Sequence, residues 1–322
     1  MVPVRRPRTL LLTLDAFNTI FHPRQPIPAI YTHVAQDLGV IPSTVTPEAV
    51  KPAFKTAFKH NSTEYPNYGR NTPGFGGPRA WWRNVIRECF AAVKGHGATV
   101  NDVPDRLVES LISVFEGDVG YKLYDDVKPF FSKLQAWKAA KRAGNVPKGA
   151  VGSFDRVTVG IISNSDDRVP KILRSLGLQV GSAWADDGEL LPPVRGIMSA
   201  EKTGERENDI DFIVTSYEAG DEKPNKHIFD VAKKRAEEYL KEEGRDIEFH
   251  FPPAEYDHCV HVGDDYRDDC RGAKDAGWQS VLLLREDVDA PEPHNRQVIH
   301  SISDLNELFR YLSMENRDGK FI

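Results

Sequence analysis

The feature that most constrains this sequence is an apolar run, residues 10–14 (LLLTL), which ends at an aspartate, Asp15. A run of this length and composition is typical of a strand buried on both faces of a parallel sheet. Open α/β sheets bind their ligands outside the carboxyl ends of the strands, and Asp15 occupies such an end. The sequence therefore predicts an α/β protein with a functional carboxylate at the edge of its sheet.

Segments typical of strands and helices alternate along much of the remaining chain. Further strands are predicted at 157–162, 212–216, 258–262 and 280–284, with helices between them. Such alternation indicates a parallel sheet with helices on both faces, which is a Rossmann-like α/β architecture. The fold class predicted from the sequence is therefore a Rossmann-like parallel sheet core.

A helical module is expected between the first strand and the rest of the sheet. Residues 22–120 contain segments with helical spacing of apolar residues and a Pro/Gly-rich loop at 65–78. We therefore expect an α/β core domain of residues 1–21 and 121–322, with a helical cap domain of residues 22–120 inserted after the first strand. Two charged segments, 138–153 and 179–209, are expected to be surface excursions.

Charge and composition exclude several functional classes. A net charge of −6 argues against a nucleic-acid binder with a basic face. The 3 cysteines have no CxxC spacing, which disfavours a disulfide scaffold or zinc site and fits a reducing compartment. No apolar run approaches the roughly 18–20 residues of a membrane span. We expect a cytoplasmic protein that binds neither nucleic acid nor membrane, with nucleus and mitochondrion as alternatives and the oligomeric state left open.

Three later segments place polar residues near the ends of predicted strands. IISNSDD (161–167) ends a strand at Ser163, GDEKPNKHIF (220–229) contains Lys223, and VHVGDDYRDD (260–269) carries an acidic cluster that begins at Asp264. Taken singly, each is explained by a turn, an exposed loop or a helix N-terminus. Because they follow Asp15 in this order on one predicted sheet, we interpret them as parts of one site.

This order of motifs resembles that of the haloacid dehalogenase-like (HAD-like) hydrolase superfamily, and the resemblance covers essentially the whole chain. The WW pair at 81–82, TSYEAGDEKPNKHIF (215–229) and VGDDYRDDCRGAKDAGW (262–278) are similar to the haloacid dehalogenase-like hydrolase domain-containing 3 proteins. The resemblance implies a hydrolase with an aspartate nucleophile, a Mg²⁺ cofactor and a small phosphorylated compound as substrate.

The resemblance also implies roles for individual residues. Asp15 is expected to attack phosphorus and form an aspartyl-phosphate. The oxygen ligands of Mg²⁺ are expected from Asp15, the main-chain carbonyl of Phe17, Asp264 and Asp269. Asp265 and Asp268 remain alternatives to Asp269 as the acid that assists Asp264.

Four further residues complete the expected catalytic set. The Ser163 hydroxyl and the Asn164 backbone N–H are suited to hold an oxygen of the transferring phosphoryl group. Lys223 supplies fixed positive charge beside the nucleophile. Thr19 resembles the hydroxyl residue that closes the first motif and fixes the loop after Asp15.

Phe17 departs from the phosphatase pattern. Phosphatases of the superfamily carry a second aspartate two residues after the nucleophile, which protonates the leaving alcohol and then activates water. Such a proton shuttle contributes roughly 10²–10⁴-fold to the rate, and phenylalanine has no proton to donate. We therefore expect slow turnover, or activity confined to good leaving groups.

Two alternatives follow from this departure. One is a non-catalytic protein that keeps the fold for binding or regulation. The other is a hydrolase of the 2-haloacid dehalogenase type, because an aromatic residue at this position resembles those enzymes and a halide leaves without a proton. The Gly-Asp-Asp arrangement at 263–265 and the expected need for Mg²⁺ argue against the dehalogenase.

Overall fold

The computed structural model describes residues 8–144, 151, 154–181, 208–243, 256, 258–285 and 300–313. Its main element is a six-stranded sheet formed by β1 (Thr9–Leu14), β4 (Arg156–Ser163), β5 (Phe212–Thr215), β6 (His258–Gly263), β7 (Gln279–Leu283) and β8 (His300–Ile302). The strand order is β5-β4-β1-β6-β7-β8, and every pair of neighbours is parallel. The predicted Rossmann-like α/β fold is confirmed.

The first strand lies at the centre of the sheet because its side chains are apolar on both faces. Every residue of β1 is buried. Leu10, Leu12 and Leu14 join one hydrophobic cluster, whereas Leu11 joins a second cluster with Phe229 on the opposite face. A strand with alternating side chains can contribute to two clusters only when both faces of the sheet are covered.

Helices and helical turns of the core cover these two faces. They are α6 (Val127–Arg142), α7 (Val169–Ser175), α8 (Ser216–Ala219), α9 (Lys226–Glu243), a π-helical segment (Tyr266–Arg271), α10 (Gly272–Asp275), a 3₁₀ turn (Leu305–Glu307) and α11 (Leu308–Ser313). The described part of the chain contains no helix long and apolar enough to span a membrane.

A helical layer follows the first strand. It consists of α1 (Ile27–Asp37), α2 (Pro47–Glu64), the short α3 (Pro66–Gly69), α4 (Gly77–Lys94), a 3₁₀ turn (Val100–Asp102) and α5 (Asp105–Val114). The chain enters and leaves this layer through two short antiparallel strands, β2 (Phe21–Pro23) and β3 (Tyr121–Leu123). The helical content of 22–120 is as predicted, and its division from the core as a separate domain stays a prediction.

Several details differ from the sequence predictions for identifiable reasons. Strands β2, β3 and β8 were not predicted, since three residues show no usable periodicity. Within the predicted 65–78 loop, Asn67 and Tyr68 have left-handed φ angles of 46° and 58°. The predicted 138–153 excursion begins inside α6, and its residues 145–150 and 152–153 lie outside the described residues, as do 182–207 of the 179–209 segment.

The register of the sheet brings distant residues to one edge. Leu14 pairs with Ile161 on β4 and with Val262 on β6. Because all three strands are parallel, the residues that follow these partners emerge together at the carboxyl end of the sheet. Asp15, Ser163 and Asp264 therefore belong to adjacent strand ends.

Candidate functional site

Asp15 lies at the carboxyl end of the central strand. Its backbone N–H donates to the Val262 carbonyl on β6 at 2.8 Å, which extends the β1–β6 pairing one residue past β1. Its side chain is almost fully buried, and Oδ1 accepts a hydrogen bond from Lys223 Nζ at 2.7 Å. The two residues, far apart in the sequence, thus form a buried ion pair.

The Lys223 ammonium is saturated by protein acceptors. Nζ donates to Asp15 Oδ1 at 2.7 Å, to Asp269 Oδ1 at 2.6 Å and to the Ile162 carbonyl at 2.9 Å. An ammonium has three protons, so each is used. Burial lowers the pKa of Lys223, but Asp15 and Asp269 outweigh it and hold the pKa above its usual value. Lys223 is therefore a permanent positive charge.

Asn164 holds the backbone of Lys223 with its side-chain amide. Its Oδ1 accepts from the Lys223 N–H at 2.6 Å, and its Nδ2 donates to the Lys223 carbonyl at 2.9 Å. The sequence predicted a role only for the backbone N–H of Asn164. This side-chain contact joins the end of β4 to the loop before α9, and it fixes the point from which the Lys223 side chain reaches Asp15.

Three carboxylates converge beside this ammonium. Asp15, Asp264 and Asp269 each place an oxygen within 4.8 Å of the others. Asp269 is the most deeply engaged of the three, since Oδ1 also accepts from His261 Nε2 at 3.1 Å and Oδ2 accepts from the Asp265 N–H at 2.9 Å. Gly263 permits this approach, because a Cβ there would lie 2.1 Å from Asp269 Oδ2.

The cluster carries more negative charge than Lys223 neutralises. Burial raises the pKa of Asp15 to about 7 against the opposing effect of Lys223, and repulsion from Asp269 and Asp264 adds to the increase. Burial and Asp269 likewise raise the pKa of Asp264 to about 6. Burial also opposes ionisation of Asp269, but Lys223 and His261 hold its pKa well below the usual range. A divalent cation would relieve this repulsion.

The donor set fits a hard cation such as Mg²⁺. Asp15 and Asp264 supply carboxylate oxygens, and the Phe17 carbonyl accepts no hydrogen bond from the described part of the chain. Mg²⁺ takes oxygen ligands of these kinds together with water. Asp265 and Asp268 lie outside the group of converging carboxylates, and Asp265 Oδ1 instead accepts from the Asp268 N–H at 2.7 Å.

Thr19 connects this acidic cluster to a second buried ion pair. Its hydroxyl donates to Asp264 Oδ1 at 3.1 Å, and its carbonyl accepts from Arg285 Nη2 at 2.5 Å. Arg285 also donates from Nη1 to Asp126 Oδ2 at 2.8 Å. Thr19 therefore holds the loop after Asp15 through both its side chain and its backbone.

The Phe17 side chain belongs to an aromatic cluster. Its ring lies edge-on to Phe21, with centroids 4.6 Å apart, and to Tyr121, with centroids 5.6 Å apart. Both partners belong to the two short strands that lead into and out of the helical layer. The Phe17 side chain therefore packs at the junction between the sheet and the helical layer, and its carbonyl oxygen is available as a ligand.

Ser163 ends β4 at the same edge of the sheet. The residue is 1% exposed, and its hydroxyl makes no hydrogen bond with any residue that the structure describes. It directly follows Ile162, whose carbonyl accepts a hydrogen bond from Lys223 Nζ. A hydroxyl at a strand end that makes no hydrogen bond to a described residue is suited to bind an oxygen of a substrate.

Two further groups near the site were not predicted as functional. His261 on β6 is fully buried between Thr13 and Asp269. In addition, Trp82 Nε1 on α4 donates to Asp166 Oδ2 at 2.7 Å, and Arg168 pairs with Asp166 and lies over the Trp82 ring. His261 is recognised from the pairing of β1 with β6, which places it opposite Thr13.

Comparison with known proteins is consistent with this geometry. The family model Hydrolase_like (HAD-hydrolase-like) matches residues 221–308. Haloacid dehalogenase-like hydrolase domain-containing protein 3 of Bos taurus is 27% identical over 293 residues, covering 91% of this chain and 86% of that protein. The Homo sapiens protein of that name is 28% identical over 274 residues, covering 85% and 81%. An uncharacterized Saccharomyces cerevisiae protein is 27% identical over 287 residues, covering 88% and 74%.

Solved structures share the fold. A magnesium-bound HAD-hydrolase of Bacillus subtilis has a TM-score of 0.51 at 20% identity, covering 96% of this chain and 99% of that one. A 2-haloacid dehalogenase of Pseudomonas syringae has a TM-score of 0.51 at 17% identity, covering 93% and 96%. The sheet, the matching family model and the relatives point in one direction: over most of its length the chain is similar to haloacid dehalogenase-like hydrolases.

Proposed function

We propose that the protein is a Mg²⁺-dependent hydrolase in which Asp15 accepts a phosphoryl group from a small phosphorylated compound. The observation that carries the proposal is the Asp15 carboxylate itself. It lies at the carboxyl end of the central strand, is held by the Lys223 ammonium at 2.7 Å, and faces two further carboxylates that call for a cation. A nucleophile, a fixed positive charge and a group of carboxylates suited to bind a cation are the parts that phosphoryl transfer requires.

The proposed reaction has two steps. A carboxylate oxygen of Asp15 attacks phosphorus, the bond from phosphorus to the leaving oxygen breaks, and that oxygen takes the electron pair and a proton from water. Water then hydrolyses the acyl phosphate, so that inorganic phosphate leaves and the Asp15 carboxylate is restored. Lys223 keeps Asp15 oriented, and Ser163 and the Asn164 N–H hold the transferring group.

The residues that would hold Mg²⁺ are Asp15, Asp264 and the Phe17 carbonyl. When bound, the ion would supply charge that screens an anionic substrate from the carboxylates. In this proposal Asp269 contributes through its charge and by holding Lys223, since both of its oxygens accept hydrogen bonds from protein groups.

The phosphatase proposal is tested with the purified protein, Mg²⁺ and a panel of aryl and alkyl phosphates. We expect phosphate release that is faster from aryl esters, because Phe17 donates no proton to an alkoxide. Asp15→Asn should reduce release to background, whereas the exposed Asp37→Asn should not. Release that is equal for wild type and Asp15→Asn contradicts the proposal and favours a non-catalytic binding role.

Metal binding is tested separately from turnover. Mg²⁺ should raise the melting temperature of the wild-type protein, because a ligand that binds only the folded state stabilises it. Asp264→Asn should abolish most of this increase. An equal increase in both proteins would place the ion elsewhere.

Dehalogenation of a 2-haloacid is the second candidate, and Phe17 is the observation that favours it. In that reaction the Asp15 carboxylate attacks carbon, halide leaves with the bonding electrons, and water hydrolyses the ester. The test is halide release in the presence of a chelator. Release without metal, together with inertness toward phosphate esters, would replace the phosphatase proposal by this one.

A further inference from the structure

His261 is a buried histidine with a partner at each ring nitrogen. The residue is 0% exposed on β6, directly opposite Thr13 on β1. Nδ1 lies 2.8 Å from Thr13 Oγ1, and Nε2 lies 3.1 Å from Asp269 Oδ1. The ring also packs edge-on against Phe229, with centroids 5.3 Å apart. Both of its nitrogens are therefore committed within the protein.

The chemistry of the two partners selects one tautomer. The ionised Asp269 carboxylate only accepts hydrogen bonds, so Nε2 must carry a proton. In a neutral ring Nδ1 then has a lone pair, and the Thr13 hydroxyl donates to it. The competing arrangement is an imidazolium whose Nδ1–H donates to Thr13, with Thr13 donating to the Val260 carbonyl. That last contact is 3.5 Å long, at the limit of a hydrogen bond.

We propose that His261, fixed as its Nε2–H tautomer by Thr13, is a positioning residue that holds Asp269 and thereby the Lys223 ammonium against Asp15. The contacts form a closed circuit. It leaves β1 at Thr13, passes through His261, Asp269 and Lys223, and returns two residues later to Asp15.

The geometry gives His261 a task that no other described residue performs. Asp269 Oδ2 is held by the Asp265 N–H, and Oδ1 has two donors, Lys223 and His261. Without the imidazole N–H, Oδ1 would keep only the Lys223 ammonium and Oδ2 only the Asp265 N–H, so the Asp269 carboxylate would be held less firmly. The Lys223 protons would then have a less fixed acceptor. The value of this arrangement to catalysis rests on the proposed function, but the arrangement itself is measurable without substrate or metal.

The first measurement is the long-range ¹H–¹⁵N spectrum of the wild-type protein, with His261 assigned by its loss in His261→Gln. We expect a neutral ring protonated at Nε2. An imidazolium, or a ring protonated at Nδ1, would overturn the proposal, whether or not any variant folds.

The second measurement is hydrogen exchange of the Lys223 ammonium protons, followed in ¹H–¹⁵N spectra tuned to lysine. His261→Leu should speed exchange by roughly tenfold, as expected when a buried charged group loses a hydrogen-bonded partner. His261→Gln, whose amide N–H reaches toward Asp269, should restore most of the protection. Thr13→Val should speed exchange, whereas Thr13→Ser, which keeps the hydroxyl, should not.

His258→Leu is the matched control. It removes a histidine from the same strand, three residues earlier and therefore on the other face, and it should leave the Lys223 signal unchanged. Equal exchange in His261→Leu and His261→Gln, or an equal effect of His258→Leu, would reduce His261 to a packing residue. Because these spectra use no substrate, an inert protein with the expected spectra would refute the proposed hydrolase and leave the positioning role standing.

Discussion

At the scale of single residues, the site depends on one lysine. Lys223 is the ammonium that faces both Asp15 and Asp269, and all three groups are buried. Removing one member of a buried ionic group is costly, since the remaining charges lose their partner. Residue changes at this point therefore affect stability as well as chemistry.

The first prediction concerns this charge. Lys223→Met should lower the free energy of unfolding at pH 7 by roughly 3–5 kcal/mol, because two buried carboxylates lose their cation. Urea denaturation measures the effect. Lys226→Met is the control, since Lys226 is exposed and, among the described residues, pairs with Asp230 four residues later, and its loss should stay below about 1 kcal/mol. Equal losses for both variants would contradict the buried ion pair.

The second prediction concerns Phe17. On the proposed function, Phe17→Asp should raise turnover of an alkyl phosphate, by up to roughly 10²-fold if the carboxyl reaches the leaving oxygen. The same change should destabilise the protein, since two edge-on aromatic contacts worth about 0.5–1.5 kcal/mol each are lost.

Phe17→Leu separates the two effects, because it removes the ring and adds no carboxyl. It should be destabilised without any gain in turnover. If Phe17→Asp and Phe17→Leu hydrolyse the alkyl ester at the same rate, the absent acid is not what limits the enzyme. Steady-state rates and thermal melts of both variants give the answer.

Single residues also mark the limit of sequence reasoning. Asp15 and Lys223 were predictable because each lies in a motif with a definite place at a strand end or loop. The side-chain role of Asn164 and the burial of His261 were not, since both depend on which residues lie opposite each other across strands. Register is set by tertiary packing, and one sequence read alone does not show it.

At the scale of elements, the helical layer is joined to the sheet close to the site. Trp82 on α4 donates to Asp166, which lies three residues past Ser163 and also pairs with Arg168. From the adjacent α3, Asn67 Nδ2 donates to the Ser216 carbonyl at 2.7 Å. These contacts place the layer over the carboxyl edge of the sheet.

The third prediction is that the contribution of Asp166 to the stability of the folded protein depends on pH. Arg168 and Trp82 outweigh burial and hold the pKa of Asp166 below its ordinary value of 3.8. The ionised carboxylate therefore stabilises the folded protein above about pH 3.8, and this contribution is lost as the pH falls through the lowered pKa. Asp166→Asn should cost roughly 3–5 kcal/mol near pH 7 and progressively less in acid.

Unfolding free energies measured from pH 3 to 8, as far as the fold persists, test this. Asp105→Asn, which alters an exposed pair with Arg87, is the control and should differ from wild type by less than about 1 kcal/mol. A difference between wild type and Asp166→Asn that does not shrink below pH 4 would contradict the assigned charge state.

Element prediction succeeded where segments were long and failed where they were short. The continuous apolar runs that became β1 and β4 and the amphipathic runs that became α4 and α9 are long enough to be recognised. The three-residue β2 and β3 carry no such signal, and only their pairing through Phe21 and Leu123 defines them.

At the scale of the whole molecule, the chain leaves the sheet and returns to it at one place. β2 pairs with β3, and the Arg24 N–H donates to the Gly120 carbonyl at 2.9 Å. The helical layer is thus an insertion whose two ends are in contact. The predicted division into two domains stays a prediction.

The fourth prediction follows from this contact. Replacing residues 25–119 by Asn-Gly, a pair suited to a two-residue hairpin, should leave a core that folds cooperatively but melts at a lower temperature. Circular dichroism and thermal melts measure this, and the full chain with Asn-Gly inserted between residues 24 and 25 is the control. An unfolded shortened chain would show that the core depends on the helical layer.

The saturated ammonium of Lys223 has a consequence for how ligands enter. An anion that arrives alone finds no spare proton on this lysine and meets three carboxylates that repel it. A cation that binds first turns this repulsion of the anion into attraction. Because the two binding free energies are coupled, the bound anion raises the affinity for the cation by the same factor. Inorganic phosphate and Mg²⁺ should accordingly bind with strong synergy, each weakly when alone and tightly when together.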